Sequence, residues 1–295
     1  MTFGVLTLAT PNDYRKAIGL ALCVRVSNPG VPIAVACAAR LRPLLAPHFD
    51  HVIDEDPAVR GFVHKLHLDR YSPFEDTFFF DSDVLVFRDV QPTVQAWNDQ
   101  PYNACGIYAR EGLSAFGLDF GKVRTMLGKE RLADISGAGH TYFRKPACVE
   151  VFDAAREVAR DYQAYAGDIR IADEDVMNIV LTKLGLEPRE GWGFFSCHWS
   201  AVPGTLSMDA SVGECEMVER STGKPLRPVM MHFAANQAPF TYARQLRRLF
   251  RKFDADPSGI YRIALGDYWD LEVKPRGKRL VQGLLGVAKA QTKSA

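Results

Sequence analysis

Asp81 and Asp83 stand one residue apart in Thr77-Phe78-Phe79-Phe80-Asp81-Ser82-Asp83-Val84-Leu85-Val86-Phe87, a run that is otherwise strongly apolar. A carboxylate buried without a partner costs several kcal/mol, on the order of a domain's whole stability margin, so these acids must emerge at a rim or meet a cation. Two hard oxygen donors at this spacing point first to a divalent metal. His232, which ends the apolar run Val229-Met230-Met231, offers a nitrogen donor far along the chain. A mixed Asp, Asp, His set favours Mn²⁺ over Ca²⁺, with Mg²⁺ as a usable substitute. Each group also has a plainer reading: the aspartates as a solvated turn between strands, the histidine as a satisfied strand end. Lys65 reads as an ordinary solvated helix lysine, and Asp173, Glu174 and Asp175 as first-turn acids, worth ~0.3 to 1 kcal/mol each against the helix dipole.

The elements that must position these groups alternate in type. Phe3 to Ala9 reads as a strand, followed by Thr10-Pro11-Asn12-Asp13-Tyr14, where Asn12 or Asp13 caps a helix to about Val26 that stops at Asn28-Pro29-Gly30. Pro32 to Ala38 and His51 to Ile53 are further strands around a short helix at Leu41 to Ala46. Phe62 to Tyr71 reads as a helix with Phe62, Leu66 and Tyr71 inward, and Tyr102 to Tyr108 as one strand. The glycines of Ile135-Ser136-Gly137-Ala138-Gly139 permit close backbone approach to something bound, ahead of a strand from His140 to Arg144. Pro146 to Tyr165 and Asp173 to Leu181 have helical periodicity. A hairpin is expected around Ser221 to Lys224, with Pro228 to Phe233 as its return strand. Tyr242, Leu246, Leu249, Phe250 and Phe253 share one face of a later helix, whose other side carries Arg244, Arg247, Arg248, Arg251 and Lys252. Strands alternating with helices predict an α/β fold with a mostly parallel sheet and ligands outside the strands' carboxyl ends.

The composition excludes several classes. Hydrophobic residues at 47% and charged residues at 24% of 295 are ordinary for a globular protein, and neither value suggests disorder. No apolar run approaches the ~20 residues that span a bilayer. A net charge of +1 gives no footing for a nucleic-acid partner. The six cysteines are scattered without a Cys-x-x-Cys, and Phe3 to Ala9 lacks the features of a signal peptide, so reduced thiols and a cytoplasmic location are expected. The oligomeric state is left open.

Several of these stretches, in this order, resemble the glycogenin-like glycosyltransferases of family 8, which have the nucleotide-diphospho-sugar transferase fold called GT-A. Leu8-Ala9-Thr10-Pro11-Asn12-Asp13-Tyr14 is similar to the family's first strand and nucleoside loop, Lys65-Leu66-His67 to its Lys-Leu-x segment, and Phe80-Asp81-Ser82-Asp83-Val84 to its metal motif. Met231-His232-Phe233 resembles its late His, and Asp173-Glu174-Asp175 its Asp-Gln helix start with Glu in place of Gln. The resemblance runs from Phe3 to Phe240. It implies a GT-A domain over 1–255 with a C-terminal helical extension and basic tail over 256–295. It also implies a retaining, metal-dependent transfer from a nucleotide sugar, a UDP-sugar being expected. Asp81, Asp83 and His232 would hold Mn²⁺ or Mg²⁺, with Asp83 the direct ligand and Asp81 shared with the ribose. Ala9, Thr10, Asn12, Tyr14, Lys65, Ser82, Gly137 and Gly139 would bind substrate, and Asp173 and Glu174 would serve catalysis. Two departures stand out. Gly137-Ala138-Gly139 replaces the family's Asn-x-Gly, and Ala238 stands where the family has a Lys that holds the diphosphate; Arg244 is the nearest replacement by sequence.

The acceptor is open between a glycan, a lipid and a protein, with aromatics at 111–120 and 192–199 as expected contact regions. The basic helix and the tail from Lys274 onward, where Leu280, Val281, Leu284, Leu285 and Val287 lie among cations, suit peripheral association with the inner face of a membrane and a lipid-linked or envelope acceptor. A packed helix and a disordered basic tail is the plainer alternative. Two rival functions remain: a haloacid-dehalogenase-type phosphatase using Asp81 and Asp83, and a non-catalytic nucleotide- or glycan-binding protein of the same fold. The phosphatase motif, however, normally closes the first strand.

Overall fold

The computed structural model describes residues 2–135, 139–190, 196–198, 204–218, 223–234 and 237–275. Its first half runs β1 (Phe3–Ala9), α1 (Tyr14–Ser27), β2 (Ile33–Cys37), α2 (Arg42–Leu45), β3 (His51–Asp54), α3 (Leu68–Tyr71), β4 (Asp76–Phe80), β5 (Val84–Val86), α4 (Gln91–Ala96), β6 (Tyr102–Ala104) and β7 (Gly106–Ala109). The middle continues through α5 (Phe120–Met126), β8 (Leu132–Ile135), β9 (His140–Arg144), α6 (Cys148–Arg160), α7 (Tyr162–Ala166) and α8 (Asp173–Leu184). The remainder comprises β10 (Ser196–His198), β11 (Gly204–Asp209), β12 (Glu214–Val218), β13 (Pro225–Leu226), β14 (Met230–His232), α9 (Pro239–Lys252) and α10 (Ile260–Tyr268).

Six strands form the central sheet in the order β3-β2-β1-β4-β9-β6. β1 pairs in parallel with β2 and β4, and β2 in parallel with β3, while β9 runs antiparallel to both β4 and β6. The sheet is therefore mostly parallel, as the strand and helix alternation predicts, and β1 to β4 present their carboxyl ends on one edge. β4 sits in the middle, and its three phenylalanines show why. Phe78 and Phe80 stack on one face at 5.3 Å between ring centroids, in the cluster that contains α1 and Val5. Phe79 points to the other face, with Leu6, Phe143 and Phe152. All three are fully buried, each contributing about 1.5–3 kcal/mol relative to exposure.

α1 is apolar nearly all round because it lies between the sheet, β5 and α9. Gly19 makes the last contact feasible: a Cβ there would stand 2.1 Å from Leu246 Cδ2. α9 follows with Tyr242, Leu246, Leu249 and Phe250 buried, as the periodicity predicts, whereas Phe253 is more than one-third exposed. α10 packs along α9, and its Ile260 and Ala264 join the same core.

Four expectations are corrected. Phe62 to Tyr71 is not one helix but a 3-10 stretch, Gly61–His67, leading into α3, and Phe62 is exposed while Leu66 and Tyr71 are buried. The expected strand Tyr102 to Tyr108 divides at Cys105, because β6 pairs with β9 in the main sheet while β7 pairs with β8 outside it. The helix from Pro146 to Tyr165 breaks at Asp161, and Val149, although in step with its apolar periodicity, is exposed. Finally, the return strand of the late hairpin is β13, which pairs with β12; β14 instead pairs antiparallel with β5 and parallel with β10. Ser221 and Thr222 lie outside the described residues.

Candidate functional site

β4 ends at Phe80, and the chain turns through Asp81, Ser82 and Asp83 before β5. The turn is fixed by backbone bonds: the Asp81 N–H donates to the Gly139 carbonyl (2.7 Å), and the Val84 N–H to the Asp81 carbonyl (3.1 Å). The acids emerge at the rim, as their cost in an apolar run requires. Pairing of His232 with Val84 in the β14 and β5 register brings that histidine, 149 residues from Asp83, to the same place. The Phe233 N–H then donates to the Asp83 carbonyl at 3.1 Å.

The side chains converge. His232 Nε2 lies 3.1 Å from Asp83 Oδ1 and 3.9 Å from Asp81 Oδ2, and one donor atom from each of the three residues falls within 4.8 Å of the others. Gly139 closes the back of this group. A Cβ added there would stand 2.4 Å from Asp81 Oδ2 and 2.8 Å from His232 Cε1, so only glycine leaves the room that these side chains take. The donor set and this cradle fit a small divalent cation.

Lys65, carried by the 3-10 stretch, reaches across to the acids. Its ammonium lies 2.9 Å from Asp81 Oδ2 and 3.1 Å from Asp173 Oδ2, joining the metal-type cluster to the first residue of α8. Asp173 is buried, and Glu174 beside it is half-buried. Burial alone would lower the Lys65 pKa, but the two carboxylates outweigh it and hold the ammonium above its ordinary range. Burial pushes Asp81 up against the pull of Lys65. Asp83 goes the other way. Burial would raise it, yet the hydrogen bond and charge of His232 bring it below the ordinary carboxylate value, and His232 is correspondingly raised despite its own burial.

Lys65, Asp81 and Asp83 line a cavity of about 540 Å³ at the carboxyl ends of the parallel strands, where such sheets bind ligands, and this volume lies in the range of small-molecule sites. Thr10, Pro11 and Asp13 line it from the loop after β1, and Lys65, Asp81, Ser82 and Asp83 from its floor. Ala9 is buried beneath, Asn12 is exposed, and Tyr14 accepts a bond from Arg15 Nε (3.2 Å) instead of facing the cavity. Asp13 does not cap α1 with its side chain; its Oδ1 accepts the Thr10 N–H at 2.5 Å and shapes the loop. Gly137 lies outside the described residues.

Sequence reasoning missed several neighbours. The Tyr242 hydroxyl on α9 donates to the Ser82 carbonyl at 3.0 Å. Lys16, near-buried on α1, pairs with Asp267 on α10 at 2.8 Å, and its charge helps lower Asp83. Arg40, Arg60 and Arg170 line the cavity from three separate segments of the chain. Tyr242 and Lys16 carry no local signal of a role. Arg170 stands three residues before Asp173, which is the one available hint.

No protein-family model matches the chain, and no curated protein matches it. Solved structures do. An active-site Gln-to-Glu mutant of LgtC superposes with a TM-score of 0.54 at 16% identity, covering 85% of this chain and 95% of that one. The galactosyltransferase LgtC in complex with donor and acceptor sugar analogs gives 0.51 at 14% identity, covering 89% and 95%. The apo bifunctional glycosyltransferase WbbM gives 0.52 at 12% identity over 89% of this chain, which spans about half of WbbM, 51%. Likeness at this identity is likeness of fold, and it agrees with the resemblance read from the motifs: the chain has the GT-A fold of these glycosyltransferases.

Proposed function

We propose that the protein is a metal-dependent glycosyltransferase that moves a sugar from a nucleotide sugar, a UDP-sugar in the first instance, to a glycan, lipid or protein acceptor. The observation that carries this reading is the meeting of Asp81, Asp83 and His232, with the two aspartates lining the cavity and Lys65 tying Asp81 to Asp173. A Mn²⁺ or Mg²⁺ held by Asp81, Asp83 and His232 would neutralise charge developing on a diphosphate leaving group. The rest falls to the chain itself. Thr10, Pro11 and Asp13, which line the cavity from the loop after β1, would receive the nucleoside. Lys65 fixes the orientation of the Asp173 carboxylate and adds positive potential beside the departing phosphates. Asp173, with Glu174 next to it, would stabilise positive charge growing at the anomeric carbon and accept hydrogen bonds from ring hydroxyls. Retention of anomeric configuration is the expected outcome, read from the product's anomeric proton coupling.

LgtC supports the choice of partners, since its crystallised complex holds donor and acceptor sugar analogs. The dehalogenase-type phosphatase loses its footing because Asp81 follows β4 in a GT-A sheet and not a first strand. The test is incubation with Mn²⁺ and a panel of nucleotide sugars, scored by free nucleotide. Release from a UDP-sugar supports the transferase. Phosphate release from sugar phosphates supports the phosphatase, and binding without turnover supports a non-catalytic protein.

The acceptor reading extends to a membrane surface. No described helix is long and apolar enough to cross a membrane. Phe240, Leu265, Tyr268, Trp269 and Leu271 nevertheless expose apolar area on and around α10, beside Arg247, whose guanidinium stacks 4.6 Å over Tyr261. Aromatics among cations suit the headgroup level of an anionic bilayer, so a lipid-linked acceptor fits this surface. Co-sedimentation with anionic liposomes, comparing the intact chain with one truncated before Lys274 and with Trp269→Ser, tests this. Equal recovery of all three from the supernatant would remove it.

A further inference from the structure

Arg60 and Arg170 occupy a junction. Both line the main cavity, and both line a smaller one of about 150 Å³ whose wall also contains Phe62, Leu66 and Asp173. The metal-type aspartates line the first cavity and Asp173 the second, and the two arginines, with Gly61 and Phe62, line both. Arg60 opens the 3-10 stretch, and its guanidinium donates to the Val59 carbonyl (2.8 Å) and to that of Pro57, which holds the side chain in place. Arg170 comes from the loop between α7 and α8, is exposed, and has no carboxylate partner among the described residues.

Charge balance says what such a pair is for. Around the Lys65 ammonium and the candidate cation site stand three carboxylates, Asp81 and Asp83 in the main cavity and Asp173 in the smaller one. A divalent cation held there brings this balance only to neutrality, with His232 uncharged as a ligand. Of the other charged groups lining the cavity, Asp13 and Glu55 add two negative charges and Arg40 one positive, so a net acid excess remains without Arg60 and Arg170. A nucleotide sugar's diphosphate adds two negative charges to a floor with no positive surplus. At the position where the resembled family carries its diphosphate lysine, this chain has Ala238, in a left-handed conformation (φ 45°) just before α9. Arg244, the replacement suggested by sequence, is exposed on α9 and lines neither of these two cavities. Arg40 lines the main cavity alone, away from Asp173.

We propose that Arg60 and Arg170 together grip the diphosphate of the donor, supplying from the lip of the cleft the positive charge that Ala238 no longer provides. Guanidinium groups suit this because they present paired donors to phosphate oxygens. The inference rests on the nucleotide-sugar reading and identifies the part of the donor that these two residues contact.

The experiment is calorimetric titration of the full-length protein in MnCl₂ with UDP and, separately, with uridine. Wild type is compared with Arg60→Gln, Arg170→Gln and Arg244→Gln, each checked by thermal melting. The expected result is a loss of about tenfold or more in UDP affinity for Arg60→Gln and Arg170→Gln, the scale of a charged hydrogen bond, with a shallower salt dependence. Uridine affinity stays unchanged in all four proteins, and UDP affinity stays unchanged in Arg244→Gln. UDP binding undiminished in both lip variants overturns this inference and leaves the donor reading standing. Wild type that binds no UDP overturns the donor reading, and the inference falls with it.

Discussion

The Tyr242 hydroxyl donates 3.0 Å to the carbonyl of Ser82, so a helix near the end of the chain holds the turn between the two metal-type aspartates. Tyr242 is buried, with its ring 4.9 Å from that of Phe233, the residue after His232. One side chain thus touches the residue between the two aspartates and the residue after the histidine. Tyr242→Phe keeps the packing and removes the bond. It is expected to cost about 0.5–1.5 kcal/mol of stability, and to weaken Mn²⁺ binding more than this small change in melting temperature suggests. Paired melting and Mn²⁺ titrations check it; a loss of stability with unaltered Mn²⁺ affinity would confine Tyr242 to packing.

Gly139→Ala separates geometry from stability. The new methyl group would meet Asp81 Oδ2 and His232 Cε1, both on side chains that can swing aside. The prediction is a modest fall in melting temperature, as Asp81 Oδ2 shifts against Lys65, with Mn²⁺ affinity reduced at least about tenfold because the ligands move apart. Unchanged affinity would show that the cradle is not needed.

Removal of Lys65 should be severe. Lys65→Met leaves Asp81 and the buried Asp173 facing each other without their shared cation. A broken buried pair costs about 3–5 kcal/mol, and partial exposure of Asp81 places this one near 3 kcal/mol. Adding Asp173→Asn removes one of the stranded charges and should recover part of the loss without restoring turnover. Chemical denaturation of the single and double variants decides whether the two sites are coupled.

Metal binding should depend on pH through His232. Its pKa is raised by Asp83 in the metal-free protein, so protons compete with the cation as pH falls through that raised value. Apparent Mn²⁺ affinity should rise with pH and then level, with proton release on binding in the rising range. The metal-free protein has its own sign. The His232 contribution is fully present below 6.5 and is lost as pH rises through the raised value. That of Asp83 is present above 3.8 and is lost as pH falls through the depressed value. Titrations in buffers of different ionisation enthalpy count the protons. Affinity independent of pH from 6 to 8 would remove His232 from the ligand set.

Much of this was legible in the sequence because it is written locally. The apolar flanks of Asp81 and Asp83 forced those acids to a rim, and the strand and helix alternation fixed the side of the sheet on which the rim lies. His232 was legible as a strand end, although its true partner, β5, was not, because hydrophobic patterning does not name the neighbouring strand. Phe62 misled for a related reason: an apolar residue at helical spacing says "inward" only while the helix is regular, and the 3-10 turn rotates it out. Arg170 lines the cleft, while Tyr242 and Lys16 act on the aspartate turn from behind it, through contacts between distant segments that no local pattern records.

The most direct measurement is anomalous diffraction at the manganese edge from crystals grown with MnCl₂ and UDP. The account predicts one strong peak within about 2.0–2.3 Å of carboxylate oxygens of Asp81 and Asp83 and a ring nitrogen of His232, with diphosphate oxygens completing the shell. A UDP molecule bound in the cleft with no such peak, or with manganese held elsewhere, would contradict it.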